Sequence, residues 1–257
     1  MTGASSGIGA ASAVALAEAG ATVALCARRE DRLREVLERC REHAPGSAMF
    51  PVDLVDLDSL PELAQRIEAE LGPVDLLVNN AGIAKRRRMP DLTVAELDGV
   101  MRVNFYAPVV LTGALLPGMV ERGHGRIVNV SSMGTRSAAL RVGGYAASKA
   151  ALELWTEGLM LDLLGTGVRA QLLVPGTTNT EFSRPSADNE PPFPPDPNAQ
   201  EPDAVAAALI ALLRSDDFEG FASDAHAATS RAKRSDPNAF LASVREHLAP
   251  SPTGPDR

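Results

Sequence analysis

The sequence TGASSGIG occupies positions 2–9, and its glycines Gly3, Gly7 and Gly9 have the spacing GxxxGxG. Small, mostly apolar residues follow directly and predict a helix over residues 8–19. A turn without side chains lets the backbone approach a phosphate, and the first turn of a helix offers N–H groups and a positive dipole end. The stretch therefore predicts a pyrophosphate site, although a glycine-rich start on its own is also compatible with a flexible terminus.

Strand-like and helix-like stretches alternate along the chain from this turn. Short apolar stretches without a period of two predict buried strands, and apolar residues at i, i+3, i+4 and i+7 predict helices. The predicted strands are 22–26, 48–52, 74–78, 127–130 and 168–174, and the predicted helices are 8–19, 32–41, 59–71, 93 onward, 145–164 and 203–214. Capping boxes are predicted at Ser59 with Glu62 and at Thr93 with Glu96. This order predicts one α/β domain over residues 1–257, with a doubly wound, Rossmann-like parallel sheet covered on both faces.

Composition and charge exclude several classes of function. The 257 residues are 45% hydrophobic and 23% charged, which is typical of a globular chain. The net charge of -8 argues against a nucleic-acid partner, because such binding needs a basic surface. Cys26 and Cys40 form no CxxC pair and the four histidines have no ligand spacing, so neither a disulfide scaffold nor a metal site is expected.

The sequence also bears on location. The first basic residue is Arg28, so the positive start of a secretory signal is missing. The apolar residues 7–27 contain Glu18 and are rich in alanine and glycine, which argues against a membrane span. Two cysteines without a disulfide pattern fit a reducing compartment, and a cytoplasmic protein is therefore expected.

The last quarter of the chain has a different character. Residues 183–200 contain six prolines, which disfavour regular structure and predict a lid over a substrate cleft. The tail over residues 218–257 diverges in pattern, with a short helix predicted near residues 240–248 and fraying from Pro250.

Three further motifs stand at the ends of predicted elements. NNAG occupies 79–82 after one strand, PGTTNT occupies 175–180 after another, and YAASK occupies 145–149 at the start of a helix. The chain has two tyrosines and three lysines, so a tyrosine followed four residues later by a lysine is improbable by chance. Ser132 ends a predicted strand thirteen residues before this tyrosine.

Together these motifs, in this order and at these spacings, resemble those of the short-chain dehydrogenase/reductase family over residues 2–182. The resemblance implies hydride transfer between a nicotinamide cofactor and a small-molecule carbonyl or secondary alcohol. It implies a catalytic tetrad of Asn104, Ser132, Tyr145 and Lys149. The cofactor residues it implies are Gly3, Ser5, Ser6, Gly7, Ile8, Gly9, Arg28, Arg29, Asp53, Leu54, Asn80, Ala81, Gly82, Tyr145, Lys149, Pro175, Gly176, Thr178 and Thr180.

The residue types of the implied tetrad suit a proton transfer. A free tyrosine has a pKa of about 10, and Lys149 on the same helix face is expected to lower the pKa of Tyr145. Ser132 is expected to donate a hydrogen bond to the substrate oxygen. Asn104 is expected to anchor a water in a proton relay, or alternatively to tie a bend in its helix.

The expected cofactor follows from the end of the strand predicted over residues 22–26, which corresponds to the second strand of the family fold. Ala27 has no carboxylate for a ribose 2′-hydroxyl, whereas an arginine can pair a 2′-phosphate. NADP(H) is therefore predicted, with Arg28 as the leading contact and Arg29 as a second, while NAD(H) stays open. The alternative is two solvated arginines, and Ser6 stands where many NADP-using members have a basic residue.

Departures from the family pattern lead to further expectations. Only Met1 precedes the glycine turn, so the first strand of the fold is expected to be missing, through a misassigned start or an inactive truncated form. The tail is expected to lack the usual final strand, which favours a homodimer through the helices after Thr93 and Tyr145 over a tetramer. The basic residues 85–88 are expected either to attract an acidic substrate at the rim of the site or to form a solvated loop. His226 is expected on the surface, or else closing over substrate.

Other functions stay open at this stage. A non-catalytic NADP(H)-binding sensor or scaffold would need the same cofactor residues but no proton donor. An epimerase or dehydratase would use the same scaffold for a different reaction. Fold resemblance does not name a substrate.

Overall fold

The structure is a computed structural model that describes residues 1–137, 139–183, 189 and 196–248. Most of the predicted lid over residues 183–200, and the end of the tail from residue 249 onward, therefore lie outside the described residues.

Parallel strands alternate with helices in the described residues. The strands are β1 (Ala24–Ala27), β2 (Ala48–Pro51), β3 (Leu76–Asn79), β4 (Gly125–Val130), β5 (Val168–Val174) and β6 (Glu219–Phe221). The helices are α1 (Gly7–Glu18), α2 (Glu30–Arg41), α3 (Leu60–Leu71), α4 (Val94–Met101), α5 (Ala107–Arg122), α6 (Gly143–Asp162), α7 (Pro202–Arg214), α8 (Asp224–Ser235) and α9 (Pro237–Leu248). The predicted doubly wound α/β fold is confirmed, and before residue 218 the ends of the predicted elements differ by at most two residues.

The sheet has two parts, joined by the start of the chain. One part contains β1 and β2, and the other contains β3, β4, β5 and β6 in that order. Thr2 forms a parallel bridge to Cys26 of β1 and donates its N–H to the Val78 carbonyl of β3 over 3.0 Å. Met1 and Thr2 thus lie between β1 and β3, where the first strand of the family was expected to be missing, and they deliver the glycine turn to the carboxyl ends of β1 and β3.

Both faces of the sheet are covered because neighbouring strand residues face opposite ways. Val78 and Val128 contribute to the apolar cluster under α1, α2 and α7. Leu77 and Ile127 contribute to the cluster under α3, α5 and α6. Strands buried on both sides read as continuous apolar runs, which explains the missing period of two in the sequence.

A long helical stretch runs from Val94 to Arg122 through α4 and α5. The predicted capping box of Thr93 and Glu96 is confirmed at its start, whereas Ser59 makes no capping bond to α3 and that prediction is wrong. By length and composition the stretch could cross a membrane, but 44% of its most apolar window is buried inside the fold. A core helix of a globular protein passes the same test.

The C-terminal tail corrects one expectation. β6 pairs in parallel with β5, from Leu172 opposite Glu219 to Val174 opposite Phe221, so the expected absence of a final strand is wrong. The sequence hides this strand because it is three residues long and has Gly220 between a charged and an aromatic residue. Helix α9 confirms the helix predicted near residues 240–248, and α8 was not predicted.

Candidate active site

A cavity of about 770 Å³ opens at the carboxyl ends of the parallel strands. Ligands bind at this edge of doubly wound sheets because the loops that follow the strands meet there. The predicted site residues that line the cavity are Gly3, Ser6, Gly7, Ile8, Gly9, Arg29, Asn80, Ala81, Gly82, Ser132, Tyr145, Lys149, Pro175, Gly176, Thr178 and Thr180. Its size suits a ligand as large as a dinucleotide.

The glycine turn depends on left-handed backbone and close approach. Gly3 has φ +66° and Gly7 has φ +54°, a region that favours glycine. A Cβ on Gly3 would lie 2.8 Å from Ala81 Cα, and one on Gly7 would lie 2.8 Å from Thr180 Cγ2. Asn80 secures the turn by donating its side-chain amide to the Thr2 carbonyl over 3.0 Å.

The N-terminus of α1 fits a pyrophosphate. Ser6 precedes α1 without a capping bond from its side chain, and the first backbone bond runs from Ala10 to Ser6. Among the described residues, the N–H groups of Gly7, Ile8 and Gly9 consequently have no acceptor. Free donors at the positive end of a helix are what an anionic diphosphate needs.

Tyr145 and Lys149 lie one turn apart on α6, and both line the cavity. Burial raises the pKa of Tyr145 above its usual 10.0, while a hydrogen bond with Ser132 acts in the opposite direction. The expected net lowering of this pKa is therefore wrong for the chain by itself, because burial outweighs the contacts that favour tyrosinate. Burial also lowers the pKa of Lys149 to about 8, opposed by the negative charge of Glu153.

Ser132 and Lys149 are held by backbone groups next to the cavity. The Ser132 hydroxyl accepts from the Gly134 N–H over 3.0 Å, which fixes the turn after β4. The Lys149 ammonium donates to the Val130 carbonyl over 2.8 Å. Both contacts orient polar groups toward the same space and leave them capacity for a further partner.

Asn104 lies in a π-helical turn, Arg102–Tyr106, between α4 and α5. Its side chain is fully buried, accepts from the Ile83 N–H over 2.8 Å, and donates to the Ile83 carbonyl over 3.1 Å and to Ser148 over 3.0 Å. π-helical turns often occur at functional sites. Asn104 does not line the cavity, so the structure favours the bend-tying alternative and leaves the water relay a prediction.

The two candidate arginines behave differently. Arg29 lines the cavity and donates to Ser6 over 2.7 Å, to Ser5 over 3.3 Å and to Glu181 over 2.7 Å. Arg28 is exposed and does not line it. The predicted cofactor residues Asp53 and Leu54 also lie outside the cavity wall, and Asp53 accepts a hydrogen bond from the Val55 backbone.

The comparison with protein families agrees with this geometry. The family model described as short chain dehydrogenase matches residues 1–191. The chain belongs to the short-chain dehydrogenase/reductase family.

Relatives within the family are similar over most of the chain. A short chain dehydrogenase of Pseudocercospora fijiensis is 41% identical over 188 residues, which cover 72% of this chain and 60% of the relative. A ketoacyl reductase of Nostoc sp. is 35% identical over 192 residues, which cover 72% of this chain and 67% of that protein. The matched region is thus about 60–67% of the length of these curated relatives.

Solved structures of the family share the whole fold. A short-chain dehydrogenase from Streptomyces avermitilis has a TM-score of 0.81 and 28% identity, and the match covers 96% of this chain and 95% of that one. A metagenomic short-chain oxidoreductase solved with NADP has a TM-score of 0.72 and 31% identity, and the match covers 85% of this chain and 93% of that one. A short chain dehydrogenase from Burkholderia cenocepacia, solved with NADP, has a TM-score of 0.80 and 26% identity, and the match covers 97% of this chain and 96% of that one.

Two of the basic residues 85–88 border the cavity of this family member. Lys85 and Arg86 line it, and Arg86 is only 4% exposed, so the alternative of a solvated loop is wrong for these two. Lys85 and Arg87 bind Glu96 over 2.8 and 2.7 Å. These cations, with a hydrogen bond from the Thr93 backbone, lower the pKa of Glu96 to about 2.

His226 is half-buried, so the expected surface position holds only in part. Its ring packs so closely on Gly176 that a Cβ there would collide with it. The Nδ1 atom is buried and has no hydrogen-bond partner among the described residues. Burial lowers the pKa of this histidine, opposed by the charge of Asp196. His226 thus supports the wall that Gly176 forms but does not itself line the cavity.

Removing the Asn104 side chain is expected to lower the free energy of unfolding by about 2–3 kcal/mol, because Asn104→Ala leaves buried partners unpaired. Urea unfolding measures the change. Asn198→Ala, at an exposed position, is the control and is expected to change stability by less than about 0.5 kcal/mol. Equal stability of the two variants would contradict the role of Asn104 in tying the helix bend.

Proposed function

We propose that the protein reduces a carbonyl with NADPH, or oxidises the corresponding secondary alcohol, with Tyr145 as the group that gives or takes the proton. One observation carries the proposal: Ser132, Tyr145 and Lys149 line the same cavity as a glycine turn whose helix has free N–H donors. Together they bring a proton donor and a phosphate site into one space.

The residues present fit a nicotinamide dinucleotide. The N–H groups of Gly7, Ile8 and Gly9 would hold the pyrophosphate, Lys149 the ribose hydroxyls and Thr180 the carboxamide. When bound, the nicotinamide supplies or accepts the hydride. Support comes from the two family members solved with NADP, the metagenomic enzyme and that of Burkholderia cenocepacia.

The hydroxyls of Ser132 and Tyr145 would act on the substrate oxygen. Ser132 donates a hydrogen bond that stabilises developing negative charge. Tyr145 transfers its proton to that oxygen in the reduction, and its raised pKa keeps it protonated at neutral pH. Lys149, one turn away, contributes a positive charge that favours the tyrosinate left behind.

The preference for NADP(H) is expected to depend on Arg29 as well as Arg28. Arg29→Ala should raise the Kd for NADPH about tenfold, because a guanidinium beside Ser6 at the edge of the cavity pairs a 2′-phosphate. Arg28→Ala is also expected to raise the Kd for NADPH. Neither variant should change the Kd for NADH by more than about twofold. Binding is measured by energy transfer from Trp155, the only tryptophan, to the reduced nicotinamide.

Arg32→Ala is the matched control for these variants. Arg32 is an exposed arginine on α2, paired with Glu35 over 3.2 Å and absent from the cavity wall. Its removal should leave both dissociation constants unchanged. Equal losses of NADPH and NADH affinity in Arg28→Ala and Arg29→Ala would contradict the proposed preference.

The reaction itself is tested by mixing the protein with NADPH and three ketones: cyclohexanone, acetophenone and ethyl acetoacetate. Turnover of at least one ketone, with the matching alcohol as product, is the expected result. NADPH binding without turnover of these or of other carbonyl classes would favour the sensor or scaffold alternative. An isomer or an alkene as product would favour an epimerase or a dehydratase.

The partner and the location complete the proposal. A homodimer through α5 and α6 is supported by exposed apolar side chains on these helices, Val120 on the first and Leu154 and Leu161 on the second. A dimer interface on these helices would cover such exposed apolar side chains. A cytoplasmic location, with no membrane and no nucleic-acid partner, stays part of the proposal.

A further inference from the structure

The C-terminal helix α8 contacts the turn that carries the candidate catalytic serine. Lys233 of α8 donates to the Thr135 carbonyl over 2.8 Å. Thr135 ends the short helical turn Met133–Thr135 that follows Ser132 directly. A part of the tail that the family motifs do not cover therefore lies against the back of the active site.

Four charged side chains extend this contact inward. Arg234 of α8 donates to both carboxylate oxygens of Glu219, over 2.7 and 3.0 Å. Glu219 in turn lies 2.5 Å from Arg136, which lies 3.1 Å from Glu153. Side-chain exposure falls along this series from 50% to 15%, 10% and 8%. We name the series Arg234, Glu219, Arg136 and Glu153 the ion chain.

The inner end of the ion chain holds the turn on both sides of Ser132. Glu153 accepts hydrogen bonds from the hydroxyl of Ser131 and, over 2.7 Å, from that of Thr135. Glu153 lies on α6, one turn beyond Lys149. A single carboxylate thus ties the serine turn to the helix that carries the other two candidate catalytic residues.

The ion chain lies behind the cavity wall. Ser131 and Ser132 line the cavity, whereas none of the four members of the ion chain does. A buried network of charges is rigid when every member is paired, and loses that rigidity when one partner is removed. Small displacements of a catalytic group have large effects on rate.

We propose that α8, through the ion chain and Lys233, is a positioning element that fixes Ser132 relative to Tyr145 and Lys149. The inference rests on the proposed reductase activity. It assigns a role to the tail over residues 218–248: the tail completes the support of the active site, and its outermost link, Arg234, is accessible to mutation without disturbing the core.

The test compares Arg234→Ala, Arg234→Lys and Glu219→Gln with wild type, using the ketone that wild type reduces fastest. Arg231→Ala is the matched control, since Arg231 is an exposed arginine on the same helix. We expect kcat to fall at least about threefold in Arg234→Ala and further in Glu219→Gln. The Kd for NADPH should be unchanged, Arg234→Lys should recover most of the rate, and Arg231→Ala should match wild type.

Hydrogen exchange gives a readout that needs no turnover. The amides of Thr135, Arg136 and Ser137 donate to backbone carbonyls within the serine turn. They should exchange at least about threefold faster in Arg234→Ala and in Glu219→Gln than in wild type, because the turn opens more often. Melting temperatures separate this local change from a loss of global stability.

The outcomes separate this inference from the proposed function. Unchanged kcat and unchanged exchange in Arg234→Ala and Glu219→Gln, with an active wild type, would overturn the positioning role and leave the reductase proposal intact. A fall in kcat that only follows the loss of folded protein would also overturn it. An inactive wild type would count against the proposed function, and the exchange rates would then decide whether α8 holds the turn.

Discussion

Replacing Tyr145 with phenylalanine is expected to lower kcat for carbonyl reduction by about a hundredfold to ten-thousandfold, the range typical of a lost general acid. The change removes one hydroxyl and keeps the ring, which packs against Phe182 with a centroid distance of 5.6 Å. The cavity should therefore retain its shape, and the Kd for NADPH should stay within about twofold of wild type. The two measurements together separate catalysis from binding.

The chain offers a matched control for this variant. Tyr106 is its other tyrosine, is 40% exposed and does not line the cavity. Tyr106→Phe should retain wild-type kcat. A Tyr145→Phe variant that reduces the ketone as fast as Tyr106→Phe does would exclude the phenol as proton donor.

Replacing Lys149 with methionine is expected to lower kcat at least about a hundredfold, because the site loses the charge that stabilises tyrosinate.

The wild type should also show a characteristic pH dependence. The pKa of Lys149 is about 8, so its charge is present below that pH and is lost above it. Reduction should therefore slow as the pH rises through about 8.

The neighbours of Lys149 define how this pH dependence is tested. Tyr145 and Glu153 face it from the same helix, and the Val130 carbonyl faces it from β4. Lys149→Arg keeps a charge at high pH, so whatever activity it retains should no longer fall near pH 8. Persistence of the fall near pH 8 in that variant would assign the titration to another group.

Sequence reasoning succeeded where a local pattern has one structural meaning. The glycine turn, the YAASK helix and the strand ending at Ser132 each predicted an element and its place at one edge of the sheet. Parallel strands with apolar residues on both faces leave few alternative arrangements. For that reason the predicted cavity residues meet although they are distant in sequence.

It failed at one helix start and where the outcome depends on contacts between distant segments. The side-chain hydroxyl of Ser59 bonds the Asp56 carbonyl instead of capping α3. The contact of His226 with Gly176 and the position of α8 depend on how the tail packs, which no local pattern encodes. Sequence reasoning likewise ranked Arg28 ahead of Arg29 as the contact to a 2′-phosphate, whereas of the two only Arg29 lines the cavity.

Titration of the folded chain with NADPH tests the central claim most directly. Circular dichroism first establishes that the protein is folded, and energy transfer from Trp155 then follows binding. The account predicts saturable binding of one NADPH per chain, weakened at least about tenfold in Gly7→Val, where a side chain would meet Thr180 and block the helix N-terminus. Absence of saturable binding to the folded chain, or equal affinity of Gly7→Val, would contradict a dinucleotide site at the glycine turn.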